Sequence, residues 1–300
     1  MEENIKTNEE KHQEVSALKR YGLTALDIVL FVVFTFIIIV VFGGILLLLG
    51  VGKEISVGNT TTDVLINGLN ELIMLIAIVV AAGIVLRIRR LPFGNLGLRL
   101  CGHGRDFVSG LLVAILIMLV GLGLCMLTQV VRITGVTPDG PTLLLNLVFF
   151  FLVAVAEEVG SRGFLLGRML DGGVNPYVAL LISSLLFSLM HFFNPSYSLI
   201  AFVNILLAGV LLGSTYLYTR NLAFPIALHW AWNYMQGPVL GFHVSGTETS
   251  HYLLQQETAG SVLLSGGEFG FEGSLLCTLL MLAFIIPILF SPAFRRKLVN

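Results

Sequence analysis

Long apolar runs recur from residue 22 to residue 291, separated by short polar breaks. A helix crossing about 30 Å of hydrocarbon needs roughly 20 apolar residues. Eight segments approach or meet that length: 22–50, 64–86, 107–131, 142–170, 176–193, 198–219, 222–240 and 274–291. The fifth and seventh are short, and Pro225 falls near the start of the seventh, where a helix tolerates proline. The runs are continuous, whereas barrel strands would alternate over about ten residues. The predicted fold is therefore all-α, a polytopic transmembrane bundle of about eight helices without internal repeats. It divides into a polar tail over 1–21, N-terminal transmembrane helices over 22–139, a transmembrane region with intruding polar groups over 140–291, and a basic tail over 292–300. The run after the first tail is too long for a signal-peptide core, so that tail is expected to stay attached.

Composition supports the membrane reading. Of 300 residues, 56% are hydrophobic and only 12% charged, against about 25% charged in ordinary soluble domains. The net charge is −1 and no basic face interleaved with aromatics occurs, so a nucleic-acid partner is not expected. Cys101, Cys125 and Cys277 lie far apart without a CxxC, and Cys125 and Cys277 read as packing residues.

Charge also orients the chain. With the N-terminus in the cytoplasm, 14 of the 17 Lys and Arg residues fall on that side, in the first tail, the loop around 87–105, at Arg168 and Arg220, and in the last tail. Only Lys53 and Arg132 face outward, and the longest outer loop, about 241–273, has neither Lys nor Arg. Both termini are therefore expected to be cytoplasmic, in a multi-pass protein of the cell membrane.

The informative residues break the apolar pattern. An ionisable group in mid-span costs about 2.5–3.5 kcal/mol on insertion scales, so it usually faces a wet cavity and has a partner. Candidates are Glu71 in the second segment, Glu157, Glu158 and Arg162 in the fourth, His191 at the end of the fifth, and His229 with Asn233 in the seventh. Glu158 and Arg162 are spaced i,i+4, with the acid first, the better order for an ion pair on one helix face. Glu157 is turned about 100° away and is left free for chemistry. His229 and Asn233 also share a face. Together, Glu157 and His191 could hold and deprotonate a water while His229 and Asn233 stabilise an oxyanion. Glu157, His191 and His229 are equally a donor set for zinc or another divalent ion. The alternatives are a structural Glu–Arg pair with a spare acid, and a hydrogen-bonded core histidine. Glu71 is not attached to the site.

The ordered trio "EEVGSR", "FSLMH" and "HWAWN" resembles the EExxxR, FxxxH and HxxxN pattern of the CPBP family, the CAAX prenyl protease 2-like or Abi intramembrane metalloproteases. The resemblance covers about residues 140–240, and the region 140–291 is accordingly expected to be the catalytic one. Ser161 stands where many members carry an aromatic residue. The resemblance implies that Glu157 is the base, Glu158 and Arg162 its support, His191 a second water ligand, and His229 with Asn233 the oxyanion-stabilising pair. It leaves open whether a metal is bound or whether glutamate activates water alone. It implies an endopeptidase acting on a membrane protein or peptide in the bilayer, in a bacterial plasma membrane, with bacteriocin processing or immunity among the expected roles. Glu157 lies past the middle of an inward-running helix, so the chemistry is expected near the cytoplasmic side. The competing class is a non-catalytic immunity or regulatory protein, or a proton-linked transporter.

Overall fold

The computed structural model describes residues 2–48, 60–99, 101–249 and 251–291. The protein is mostly helical. Helix α1 spans Glu2–Leu48, α2 Thr60–Ile88 and α3 Gly104–Leu127. A strand, β1 (Val131–Val136), precedes α4 (Gly140–Glu158), which continues through a π-helical stretch, Val159–Leu166, into α5 (Gly167–Asp171). Then follow α6 (Pro176–Met190), α7 (Leu199–Thr219), α8 (Ala223–Tyr234), β2 (Leu254–Thr258), α9 (Val262–Ser265) and α10 (Leu275–Phe290).

Every one of the eight apolar segments carries a helix, but five are long and apolar enough to cross a membrane: Val15–Leu46, Thr62–Ile88, Gly104–Leu127, Gly140–Asp171 and Leu199–Thr219. Helices α6, α8 and α10 are shorter. With many large apolar side chains exposed along α1, α2 and α3, this is a membrane protein. Two features differ from the sequence reading. The stretch taken as a polar tail is continuous with α1, as its Glu, Lys and Gln content allows. The third segment stops at Leu127, and the β-branched stretch after it pairs antiparallel with β2, with a bulge between Ile133 and Gly135. The basic tail 292–300 and Lys53 lie outside the described residues.

Caps set the helix starts. Asp139 accepts the Thr142 N–H ahead of α4, Asn175 accepts those of Tyr177 and Val178 ahead of α6, and Ser198 that of Ala201 ahead of α7. Hydrogen bonding from the side chain and backbone N–H of Thr142 holds the Asp139 carboxyl below its ordinary range. One apolar core joins α1, α2, the π-helical stretch, α6 and α7 around Phe31, Phe164 and Tyr216. A second joins α3, α7, α8 and α10 around Met118, Trp232 and Phe271, and buries Cys125 and Cys277.

The two ends of the bundle differ in charge. At one end Asp27 accepts from Arg89 and Arg168, Asp171 pairs with Arg220, and Asn221 donates to the Arg99 carbonyl. The opposite end carries the two-stranded sheet and the loops 191–198 and 241–274, where Arg132 is the one Lys or Arg among the described residues.

Candidate active site

The site is assembled where the π-helical stretch crosses α6 and α8. Arg162, within that stretch, and Glu158, just before it, are both fully buried. Arg162 Nη1 donates to Glu158 Oε1 at 2.7 Å, Nη2 donates to the Gly209 carbonyl at 3.3 Å, and the guanidinium lies 4.2 Å over the Phe187 ring. Two glycines allow this crowding. A Cβ on Gly163 would stand 2.9 Å from the Leu96 carbonyl oxygen, and one on Gly209 2.7 Å from Ser184 Cβ. Gly209 thus lets α7 come close to α6 while its carbonyl faces the arginine.

Both histidines are fixed through Nδ1. His229 Nδ1 lies 2.9 Å from Glu158 Oε1, the oxygen that also accepts from Arg162. His191 Nδ1 lies 2.8 Å from the Phe187 carbonyl oxygen. That carbonyl is in the last turn of α6, where carbonyls lack partners further along the helix, and the His191 backbone N–H is engaged with Ser188 instead. A carbonyl and a carboxylate can only accept, so each Nδ1 donates and each neutral ring presents Nε2 as a lone pair. Glu157 Oε2 stands 3.8 Å from His229 Nε2 and 4.0 Å from His191 Nε2. This oxygen is buried and has no hydrogen-bond partner among the described residues. With both rings neutral, these two nitrogens and this oxygen are three acceptors facing one another.

They line a cavity of about 420 Å³ that Asn233 also borders. The Asn233 side chain is 6% exposed, and none of the hydrogen bonds among the described residues engages it. The structure thus brings Glu157, His191, His229 and Asn233 to one cavity and puts Glu158 and Arg162 behind its wall.

The cavity also gathers residues that sequence reasoning left aside. Asn67, Asn70 and Glu71 of α2 line it, as do Asn146 and Glu272. The spacing i, i+3, i+4 of the first three was the available signal. Glu272 lies in a glycine-rich tract read only as an outer loop. It accepts from Trp232 Nε1 at 3.0 Å and from the Ser245 N–H and hydroxyl at 2.9 Å each. It thereby ties α8 to the loop at the mouth.

The mouth, edged by Ser245, Thr247, Glu248 and Thr249, opens at the end of the bundle that carries the two-stranded sheet. This differs from the expectation of chemistry near the basic end. Glu157 is followed by a further helical stretch to Asp171 that fills that end, while His191 comes from the far end of α6.

Residues 139–235 match the family model described as type II CAAX prenyl endopeptidase Rce1-like. Over that region the match supports the resemblance to the CPBP family. No curated protein and no solved structure matches the chain. The matched region runs from the Asp139 cap to Met235 and holds all seven residues that the three motifs specify. At the level of that family the match supports a protease, a hydrolase.

Proposed function

We propose that the chain is an intramembrane endopeptidase in which Glu157 activates a water for attack on a peptide bond. The observation that carries this reading is the convergence of Glu157 Oε2 with two imidazole Nε2 atoms, at 3.8 and 4.0 Å, beside the unpartnered amide of Asn233. A water has two hydrogens to give. One goes to Glu157 Oε2 and the other to a histidine Nε2, which turns its oxygen lone pairs toward the cavity. As that oxygen bonds to the scissile carbonyl carbon, Glu157 takes its proton. The carbonyl oxygen becomes an oxyanion and accepts the Asn233 N–H. When the C–N bond breaks, the proton on Glu157 passes to the leaving nitrogen, giving a new carboxyl and a new amine.

This account changes one role. The sequence reading paired His229 with Asn233 at the oxyanion. His229 Nδ1–H is committed to Glu158, and its Nε2 faces Glu157. We therefore assign His229 to holding the water and leave the oxyanion to Asn233. Glu158 fixes the His229 tautomer as carboxylates do behind ligating histidines, and Arg162 balances its charge.

In donor type, Glu157, His191 and His229 fit a divalent ion such as zinc, with both Nδ1 atoms already held by acceptors. The separations of 3.8 and 4.0 Å exceed the spacing of about 3.3 Å that a tetrahedral ion with ligands near 2.0–2.1 Å would give. No group of three or more His, Cys, Asp or Glu side chains among the described residues is already drawn in to metal-holding distance. An ion held there would supply a more acidic bound water.

We place the basic end in the cytoplasm by the distribution of Lys and Arg, so the mouth faces the opposite side and takes its peptide from there. The test is a comparison of peptide termini in membranes containing the wild type or Glu157→Gln. New termini that require Glu157 support the reading. Identical termini in both, with equal amounts of folded protein, would leave the non-catalytic class.

A further inference from the structure

Apart from Glu248 at the mouth, which lies 3.5 Å from His243 Nε2, Glu71 is the one acidic residue lining the cavity, among the described residues, that neither the proposed reaction nor the packing uses. It lies in the span Thr62–Ile88 on the same face of α2 as Asn67 and Asn70, and all three line the cavity that holds Glu157. No ion pair or hydrogen bond of its carboxylate occurs among the described residues. Its situation differs from that of the other acidic groups nearby. Glu158 is neutralised by Arg162, and Glu272 is engaged by Trp232 and Ser245. Among the described residues no Lys or Arg lines the cavity, and the buried cation Arg162 is turned onto Glu158 and Phe187. A carboxylate in a membrane span is costly without a counter-charge. The Asn233 amide, nine-tenths buried, lines the same space without a hydrogen-bond partner among the described residues. Among the described residues the cavity therefore offers unpaired recognition groups on two walls, one of them a carboxyl group.

We propose that Glu71, flanked by the amides of Asn67 and Asn70, is a specificity-determining residue that binds a cationic group of the substrate, a Lys or Arg side chain or a free amine, next to the reacting bond. This rests on the peptidase reading for the identity of the ligand as substrate. It names a peptide that brings the missing positive charge with it. The same acidic wall disfavours a peptide carrying a carboxylate at that point.

The experiment uses apolar, dye-labelled peptides that are identical except for Lys, Gln or Glu scanned along the sequence, added to the full chain in nanodiscs. Binding is measured in the Glu157→Gln background, and cleavage in the Glu157 background, each with Glu71, Glu71→Gln and Glu71→Lys. With Glu71 present, the Lys peptide should bind about tenfold or more tightly than the Glu peptide at one position of the scan. Glu71→Gln should level that preference, and Glu71→Lys should invert it. Binding preference that follows residue 71 while no peptide is cleaved would keep the cation site and remove the peptidase reading. Cleavage by the Glu157 protein, with the same charge preference whatever stands at position 71, would keep the peptidase and overturn this inference.

Discussion

Replacing Arg162 by leucine removes one half of an ion pair whose two side chains are both fully buried. Glu158 would be left as an uncompensated carboxylate in the core, and breaking a buried pair in this way costs about 3–5 kcal/mol. The lost contact with the Phe187 ring at 4.2 Å belongs to the same cluster and does not add independently. At about 2.1 cal/mol/K of unfolding entropy per residue, the loss corresponds to a melting temperature lower by roughly 5–8 °C for a chain of this length. The informative partner is the double variant Arg162→Leu with Glu158→Gln. Glutamine is neutral, and its carbonyl oxygen can still accept the His229 Nδ1–H, so most of the loss should return and leave about 1–2 kcal/mol. Its activity should stay roughly 10–100-fold down, because a carboxylate behind a histidine has become an amide. Thermal unfolding of the purified protein in detergent reads the first effect, and peptide cleavage the second. A single variant that melts like the wild type, or a double variant no more stable than the single, would refute the argument that Arg162 is there to compensate Glu158.

Glu157→Gln should leave melting unchanged within about 1 kcal/mol, since no hydrogen bond of Oε2 is lost, while cleavage falls by at least about 10²–10⁴-fold. Asn233→Ala should lower turnover by about 10²–10³-fold with little change in apparent substrate affinity, if its amide acts on the oxyanion. A change confined to affinity would contradict that role. Gly209→Val would set a side chain against Ser184 and push α6 from α7, costing about 1–3 kcal/mol by thermal unfolding; an unshifted melting curve would show that the approach of the helices is slack. The Asp139 carboxyl is depressed by Thr142, so its contribution exists above the unfolded value of about 3.9 and fades as pH falls through the lower folded value. The stability difference between wild type and Asp139→Ala should therefore narrow below about pH 4 in a pH series of melting curves.

What was legible in the sequence is what helix geometry alone fixes. The Glu158–Arg162 pair and the shared face of His229 and Asn233 follow from i,i+4 spacing, which survives even though a π-helical stretch begins at Val159. The second partner of Glu158 was not legible, because His229 reaches it from another helix. Nor was the anchoring of His191, which depends on α6 ending so that the Phe187 carbonyl is free to accept. The two-stranded sheet was hidden because its first strand directly follows a long apolar run and its partner, Leu254–Thr258, lies far along the chain. Glu272 was hidden in a glycine-rich tract whose folding against Trp232 and Ser245 needs tertiary contacts. Glu71 was visible as an intruding charge, yet only the packing of α2 beside α4 places it on the same cavity as Glu157.

The central claim is that a water activated by Glu157 hydrolyses a peptide bond within the membrane. Cleavage of a membrane peptide by the reconstituted chain in oxygen-18 water tests it directly, with mass spectrometry of the products. The account predicts a new carboxyl terminus carrying one oxygen-18 atom in the wild type, and no such product with Glu157→Gln. Labelled product formed equally well by Glu157→Gln, or a product without the label, would contradict it.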